Sequence, residues 1–186
     1  MAKLIYIMNT SLDGYVEDAH GSFDWGAPDE EVNSRINELA SSVGTYLYGR
    51  RMYDSMVYWE AEYANHDLPQ FSLDWARQWQ AAEKIVYSRT LAEPHSARTR
   101  IVREFDPDAV RRLKAEVAKD ITVNGPELAA HALRAGLVDE VQMIVRSVIV
   151  GGGKRFFPDG VRSDLELVEA QTFRNGVVIL RYAVRG

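Results

Sequence analysis

The sequence predicts an α/β fold with a mostly parallel central sheet, helices on both faces and an antiparallel hairpin at the C-terminal end. Three observations point there. Short apolar, β-branched runs alternate with stretches of helical spacing from residue 3 to residue 150, the order that builds a parallel sheet. Residues 165–184 then read as two strands with no helix between them, joined through Arg174-Asn175-Gly176, and Asn-Gly is the strongest short hairpin signal. Finally, 186 residues at 46% hydrophobic composition suit one well-buried core. No internal repeat and no Pro-, Gly- or Ser-rich linker divides the chain, so residues 1–186 are expected to form a single domain.

Residues 3–8 form a nearly continuous apolar run, the pattern of a strand buried on both faces. Residues 9–25 are too long and too rich in Gly, Asp and Ser for a simple turn. They also carry Leu12, Tyr15, Val16, Phe23 and Trp25, so this loop should fold over the core edge or a ligand. A helix over 28–42 opens with Pro28 and the acids Asp29, Glu30 and Glu31, then places Val32, Ile36, Leu39 and Ala40 at helical spacing. Residues 45–49 are the second strand, and Gly49-Arg50-Arg51 leads into another helix. Trp59, Trp75 and Trp79 fall within 54–82, with a helix near 69–82; they read as core and lid packing, because the basic residues that accompany base stacking are sparse. Strands follow at 84–88 and 99–104, and a helix at 107–119 is capped by Asp106. Residues 121–123 are a further strand. Gly125 takes the turn after it, Pro126 opens a helix at its first position, and Arg134 and Gly136 close that helix. Residues 139–150 read as a long strand ending in Gly151-Gly152-Gly153.

Ligands of such sheets bind beyond the carboxyl ends of the strands. Three strand ends here carry features that favour anions: Gly49-Arg50-Arg51, Ser88-Arg89-Thr90 and Asn124-Gly125-Pro126. Two cations at a helix start oppose its dipole by roughly 0.3–1 kcal/mol each, which makes physical sense if an anion usually lies there. The alternative is solvated arginines paired with nearby carboxylates. Together the three turns suit a ligand with several phosphates, guanidiniums gripping a terminal monophosphate and the glycine turn approaching a pyrophosphate. A nicotinamide dinucleotide with a 2′-phosphate meets that description.

Other chemistry is disfavoured. A formal charge of -5 argues against nucleic acid or an anionic membrane surface as partner. The absence of cysteine excludes disulfides, thiol chemistry and Cys-ligated zinc, and suits a reducing cytoplasm. His20, His66, His95 and His131 lack ligand spacing, so no metal site is expected. The N-terminal MAKLIYIMN is too short an apolar run for a signal peptide or anchor. Gly151-Gly152-Gly153-Lys154 lacks P-loop spacing, and neither G-x-G-x-x-G nor G-x-S-x-G occurs.

Five segments run in one order over nearly the whole chain: SLDGYV at 11–16, LYGRRMYD at 47–54, VYSRTL at 86–91, NGPELAAHALRAGLVDE at 124–140 and VGGGKRFFPDG at 150–160. With them the chain resembles the dihydrofolate-reductase-like reductase domain of riboflavin biosynthesis and its small stand-alone bacterial relatives. The resemblance implies a three-layer dihydrofolate-reductase-like fold with NADPH lying across the strand ends. On this likeness Asn9 and Thr10 touch the nicotinamide half, under a loop formed by Asp13, Gly14 and Tyr15. Gly49, Arg50 and Arg51, helped by Ser88 and Arg89, hold the adenosine 2′-phosphate. Asn124, Gly125, Pro126 and Glu127 face the pyrophosphate, and Trp25 and Tyr53 stand at the substrate. Two departures affect the cofactor turns: Met52 replaces the usual Thr and removes a hydroxyl donor, and Asn124 replaces a glycine.

The implied activity is NADPH-dependent reduction of a small heterocycle or ribosylamine. The riboflavin-pathway pyrimidine reduced by a 5-amino-6-(5-phosphoribosylamino)uracil reductase and a pterin or folate-like compound are both within that range, and a cytoplasmic homodimer is expected. A non-catalytic protein that keeps the NADPH site is the alternative. The bifunctional riboflavin enzyme would add a zinc deaminase half with cysteine ligands, which this cysteine-free chain lacks. Candidate proton donors or substrate anchors are Asp13 and the Asp29, Glu30, Glu31 group, with Glu30 preferred. Solvated first-turn acids that stabilise the helix are the other reading of that group.

Overall fold

The computed structural model describes residues 1–26, 29–61 and 67–185, so Pro28, expected to open the first helix, lies outside the described residues. The first half contains β1 (Leu4–Thr10), β2 (Tyr15–Glu17), α1 (Glu30–Ala40), β3 (Val43–Gly49), α2 (Arg50–Met56), α3 (Tyr58–Ala61), α4 (Gln70–Ala81) and β4 (Glu83–Tyr87). The second half contains β5 (Thr99–Val102), α5 (Pro107–Glu116), β6 (Asp120–Asn124), α6 (Pro126–Arg134), β7 (Glu140–Val145), β8 (Lys154–Arg155), β9 (Leu165–Thr172) and β10 (Val178–Val184). One eight-stranded sheet has the order β5-β4-β3-β6-β1-β7-β10-β9, and β2 pairs with β8 in a separate ribbon. All neighbours from β5 to β7 are parallel, while β10 runs antiparallel to β7 and β9. The expected mostly parallel sheet with a C-terminal antiparallel hairpin is therefore present.

Helices cover both faces. On one, Leu4, Tyr6, Leu47, Ile121 and Val123 meet Val110 of α5 and Leu128, Ala129 and Ala132 of α6. On the other, Tyr46, Tyr48 and Val86 pack on Tyr53 of α2 and Trp79 of α4, and Ile144 and Ile179 pack on Val32 of α1. Trp79 is fully buried, and its indole N–H donates to the Tyr48 hydroxyl at 3.1 Å, so the largest core side chain leaves no donor unsatisfied.

Local chemistry sets the helix ends. The Asp29 carboxylate accepts from the Val32 N–H at 3.1 Å and caps α1, and Asp106 caps α5 in the same way, with Pro107 in its first turn. α5 ends at Glu116 rather than 119 because Val117 adopts an extended backbone, ψ 146°.

β7 also stops earlier than the apolar run suggested. Beyond Val145 the chain leaves the sheet and bonds to the first loop instead: Leu12 donates to the Val148 carbonyl at 2.8 Å, and the Asp13 carboxylate takes the Gly151 N–H at 2.8 Å. The glycine run then lies directly on β2. A Cβ at Gly153 would fall 2.1 Å from the Glu17 carbonyl oxygen, so only glycine permits that approach.

Candidate active site at the carboxyl ends of the strands

β4, β3 and β6 are adjacent and parallel, with Gly49 opposite Tyr87 and Tyr48 opposite Asn124. Their following turns therefore lie side by side, and the three anion-friendly features share one sheet edge. Arg50 links the first two by donating to the Thr90 hydroxyl at 3.3 Å. Its other contact is Asp54 at 3.0 Å; Arg51 reaches Glu17 at 3.5 Å and Arg89 reaches Glu104 at 3.3 Å. These arginine side chains are 40%, 69% and 79% exposed respectively, so their ion pairs are weak and easily exchanged for a phosphate. The Ser88 oxygen accepts from the Thr90 and Leu91 N–H groups and shapes its turn.

At the third turn Gly125 adopts φ +96°, outside the range that side chains favour. Asn124 does not share that conformation, since Arg98 is the one non-glycine with positive φ among the described residues. Its carboxamide donates to the Ile7 carbonyl at 3.0 Å and accepts from the Thr122 hydroxyl at 2.9 Å, which ties β6 to β1 and leaves the turn open. Pro126 begins α6. Glu127 bonds Lys154 at 2.8 Å, and this hydrogen bond holds its carboxyl below the usual glutamate range. Lys154 is bonded to Glu17 as well, at 3.2 Å. Three exposed guanidiniums and a bulk-free turn opening onto a helix thus fit the phosphates of a dinucleotide.

Beside this row lies an open cleft of about 230 Å³. The sheet contributes Ile7, Asn9 and Ile144 to its wall, and α1 contributes Asn33, Ile36 and Asn37. Met52 and Met56 of α2 face them, with Trp59, Phe71 and Trp75 completing an aromatic side. Sequence reasoning did not single out Asn33 and Asn37. Their signal was present in the i, i+3, i+4 spacing of Asn33, Ile36 and Asn37, which puts two amides and an aliphatic side chain on one helix face. Met52 and Met56 share a face of α2 by the same rule.

Several expected site residues stand elsewhere. Asp13 accepts from Val150 and Gly151 N–H groups at 3.2 and 2.8 Å. The Ser11 hydroxyl and these backbone donors hold its carboxyl below the usual range, which suits a clasp between two loops and not a proton donor. Gly14 belongs to the same clasp, its carbonyl accepting from Phe156 at 2.9 Å. Glu30 is exposed in the first turn of α1 and does not line the cleft. Tyr53 is fully buried; its hydroxyl accepts from the His95 N–H at 2.8 Å and bonds Ser96 at 2.9 Å, so it anchors α2 and cannot meet a substrate. Trp25 sits in the short turn Asp24–Gly26 and is also outside the cleft lining. Thr10 is fully buried, its hydroxyl donating to the Ser11 carbonyl at 3.1 Å, whereas Asn9 does reach the cleft. The Asn9 side-chain oxygen accepts from the Arg146 Nε–H at 2.8 Å. Burial lowers the pKa of that guanidinium, an effect opposed by the charge of Asp29.

Residues 2–179 match the family described as the RibD C-terminal domain. YyaP of Bacillus subtilis (strain 168), an uncharacterized protein, is 28% identical over 186 residues, 99% of this chain and 96% of that protein. A crystal structure of a candidate riboflavin biosynthesis protein from Shewanella sp. PV-4 superposes over 100% of both chains with TM-score 0.77 at 21% identity. A Thermotoga maritima diaminohydroxyphosphoribosylaminopyrimidine deaminase/5-amino-6-(5-phosphoribosylamino)uracil reductase shares the fold with TM-score 0.68 and 12% identity, over 99% of this chain and 57% of that one. The family match spans all of the strand ends just described, and the chain belongs to the RibD C-terminal domain family.

Proposed function

We propose that this protein is an NADPH-dependent reductase of a small heterocyclic or ribosylamine substrate. The observation that carries the reading is the cationic row at Arg50, Arg51 and Arg89, side by side with the Gly125 turn and opening onto the adjacent cleft. Arg50, Arg51 and Arg89 would hold the 2′-phosphate, Gly125 and the start of α6 the pyrophosphate, and Asn9 the nicotinamide end. Bound there, NADPH would supply the hydride. The aromatic and methionine side chains would pack against the acceptor's ring faces, and the carboxamides would orient its edge. With Asp13 committed to the loop clasp and Glu30 outside the cleft, the proton comes from water admitted by the open mouth. The test is quenching of tryptophan fluorescence by NADPH, followed by loss of absorbance at 340 nm with dihydrofolate or the riboflavin-pathway pyrimidine. Absence of NADPH binding would refute the reading.

One observation favours a second reading, a non-catalytic NADPH-binding protein: among the described residues no carboxylate or histidine lines the cleft. Tight NADPH binding without turnover of any heterocycle would select it.

A further inference from the structure

The acceptor cleft contains no charged side chain among its described lining residues. Residues 27–28, 62–66 and 186, outside the described set, include no lysine or arginine. The arginines of the site are gathered on the cofactor row, and the Nε–H of the nearby Arg146 is given to Asn9. We infer that the reducible substrate is an uncharged, phosphate-free planar heterocycle, read by carboxamides and not by cations; this rests on the reductase reading above.

Two arguments support it. A phosphate dianion entering the cleft would lose water against Met52, Met56, Trp59 and Trp75 without gaining a counter-charge from the described lining residues, and an unpaired charge is the costliest group to desolvate. The amides, in contrast, are oriented by their protein partners. The Arg146 donor requires the Asn9 oxygen, leaving the Asn9 amino group for the nicotinamide end of the cofactor. Asn33 donates its amino group to the Asp29 carbonyl at 2.8 Å, and Asn37 donates to the Phe71 carbonyl at 2.8 Å. Each therefore keeps its side-chain oxygen, with no other partner among the described residues. Asn33 and Asn37 each present a carbonyl acceptor with one remaining N–H donor beside it, a pairing that matches the adjacent N–H and C=O of a lactam or cyclic ureide. The aromatic side chains and the adaptable methionines suit its ring faces.

The test uses a ribitylaminopyrimidine and its 5′-phosphate as matched ligands, titrated by tryptophan fluorescence into the full-length protein with and without saturating NADP⁺. The unphosphorylated compound should bind more tightly by about tenfold or more. Equal or tighter binding of the phosphate, or binding of neither compound, would overturn the inference. Asn33→Leu should weaken the unphosphorylated ligand by about tenfold while leaving the NADPH response unchanged, and an unaltered affinity would overturn the carboxamide assignment. Failure of NADPH itself to bind would refute the reductase reading, whereas the matched pair on the apoprotein still decides what the cleft prefers.

Discussion

Replacing Arg50 and Arg51 by alanine should separate NADPH from NADH. Before ligand arrives, Arg51 makes one 3.5 Å contact to Glu17 and Arg50 a 3.0 Å contact to Asp54, both on exposed side chains. Such pairs contribute about 0–1 kcal/mol, so releasing them costs little. A charge-assisted hydrogen bond to phosphate returns about 1.5–3 kcal/mol. The net is about 1–2 kcal/mol per arginine, or roughly 5- to 30-fold in Kd, and roughly 25- to 900-fold for the pair if the effects add. NADH has no 2′-phosphate, and its affinity should change by less than about threefold. Fluorescence titration of both cofactors measures the ratio directly. Repeating it at about 0.3 M salt should shrink the preference of the parent protein, because these charges are exposed to screening. Equal losses for NADPH and NADH, or no loss for either, would show that the 2′-phosphate lies elsewhere.

Three further outcomes are expected. Gly153→Ala places a methyl 2.1 Å from the Glu17 carbonyl, so β8 must separate from β2; a thermal melt should show destabilisation by about 2 kcal/mol or more, and an unchanged Tm would refute that close approach. Glu140→Gln should flatten the acid limb of stability. Burial alone would raise the Glu140 carboxyl, but hydrogen bonds from Gln142, Arg181 and Lys3 outweigh it and hold it below the ordinary value of 4.5. Its contribution is therefore complete above the unfolded pKa and disappears as pH falls through the folded one, so denaturant melts between about pH 5 and 3 should fall more steeply for the parent than for the variant. A homodimer is expected to form along β9, an edge strand with Leu165, Leu167 and Val168 at 37%, 55% and 54% exposure. Leu167→Glu with Val168→Glu should shift light-scattering mass to the monomer, and a parent protein that is already monomeric would remove the basis for that surface.

The features legible from sequence were those encoded locally. Asn175-Gly176 marked the hairpin, and Gly125-Pro126 marked both a turn and a helix start, because each depends on backbone preferences of a few consecutive residues. The cationic row was legible as well, since parallel strand order brings successive turns to one edge. Roles that depend on distant partners were not. Asp13 is bonded to residues 137 and 138 positions away, so its commitment to a loop clasp leaves no mark within SLDGYV. Tyr53 and Met52 are consecutive, yet one is sealed beneath the 95–96 turn and the other lines the cleft. Only the rotation of α2 on the sheet decides which of them meets a ligand.

Met52 joins the two halves of the site. It stands where the resemblance leads one to expect threonine, a hydroxyl available to phosphate. Its Cβ lies 3.5 Å from where a Cβ of Gly125 would be, and its side chain forms part of the acceptor wall. The exchange therefore removes a donor from the cofactor row and adds apolar surface to the cleft at a single position. The same separation appears in charge: Arg50, Arg51 and Arg89 stand at the strand-end turns, Lys154 compensates Glu127 beside the Gly125 turn, and the described cleft wall keeps only amides, a serine, a tyrosine and apolar groups. On the proposed reading the cations serve the cofactor and the acceptor is selected by shape and hydrogen-bond pattern, which would make phosphate on the acceptor a liability rather than a handle.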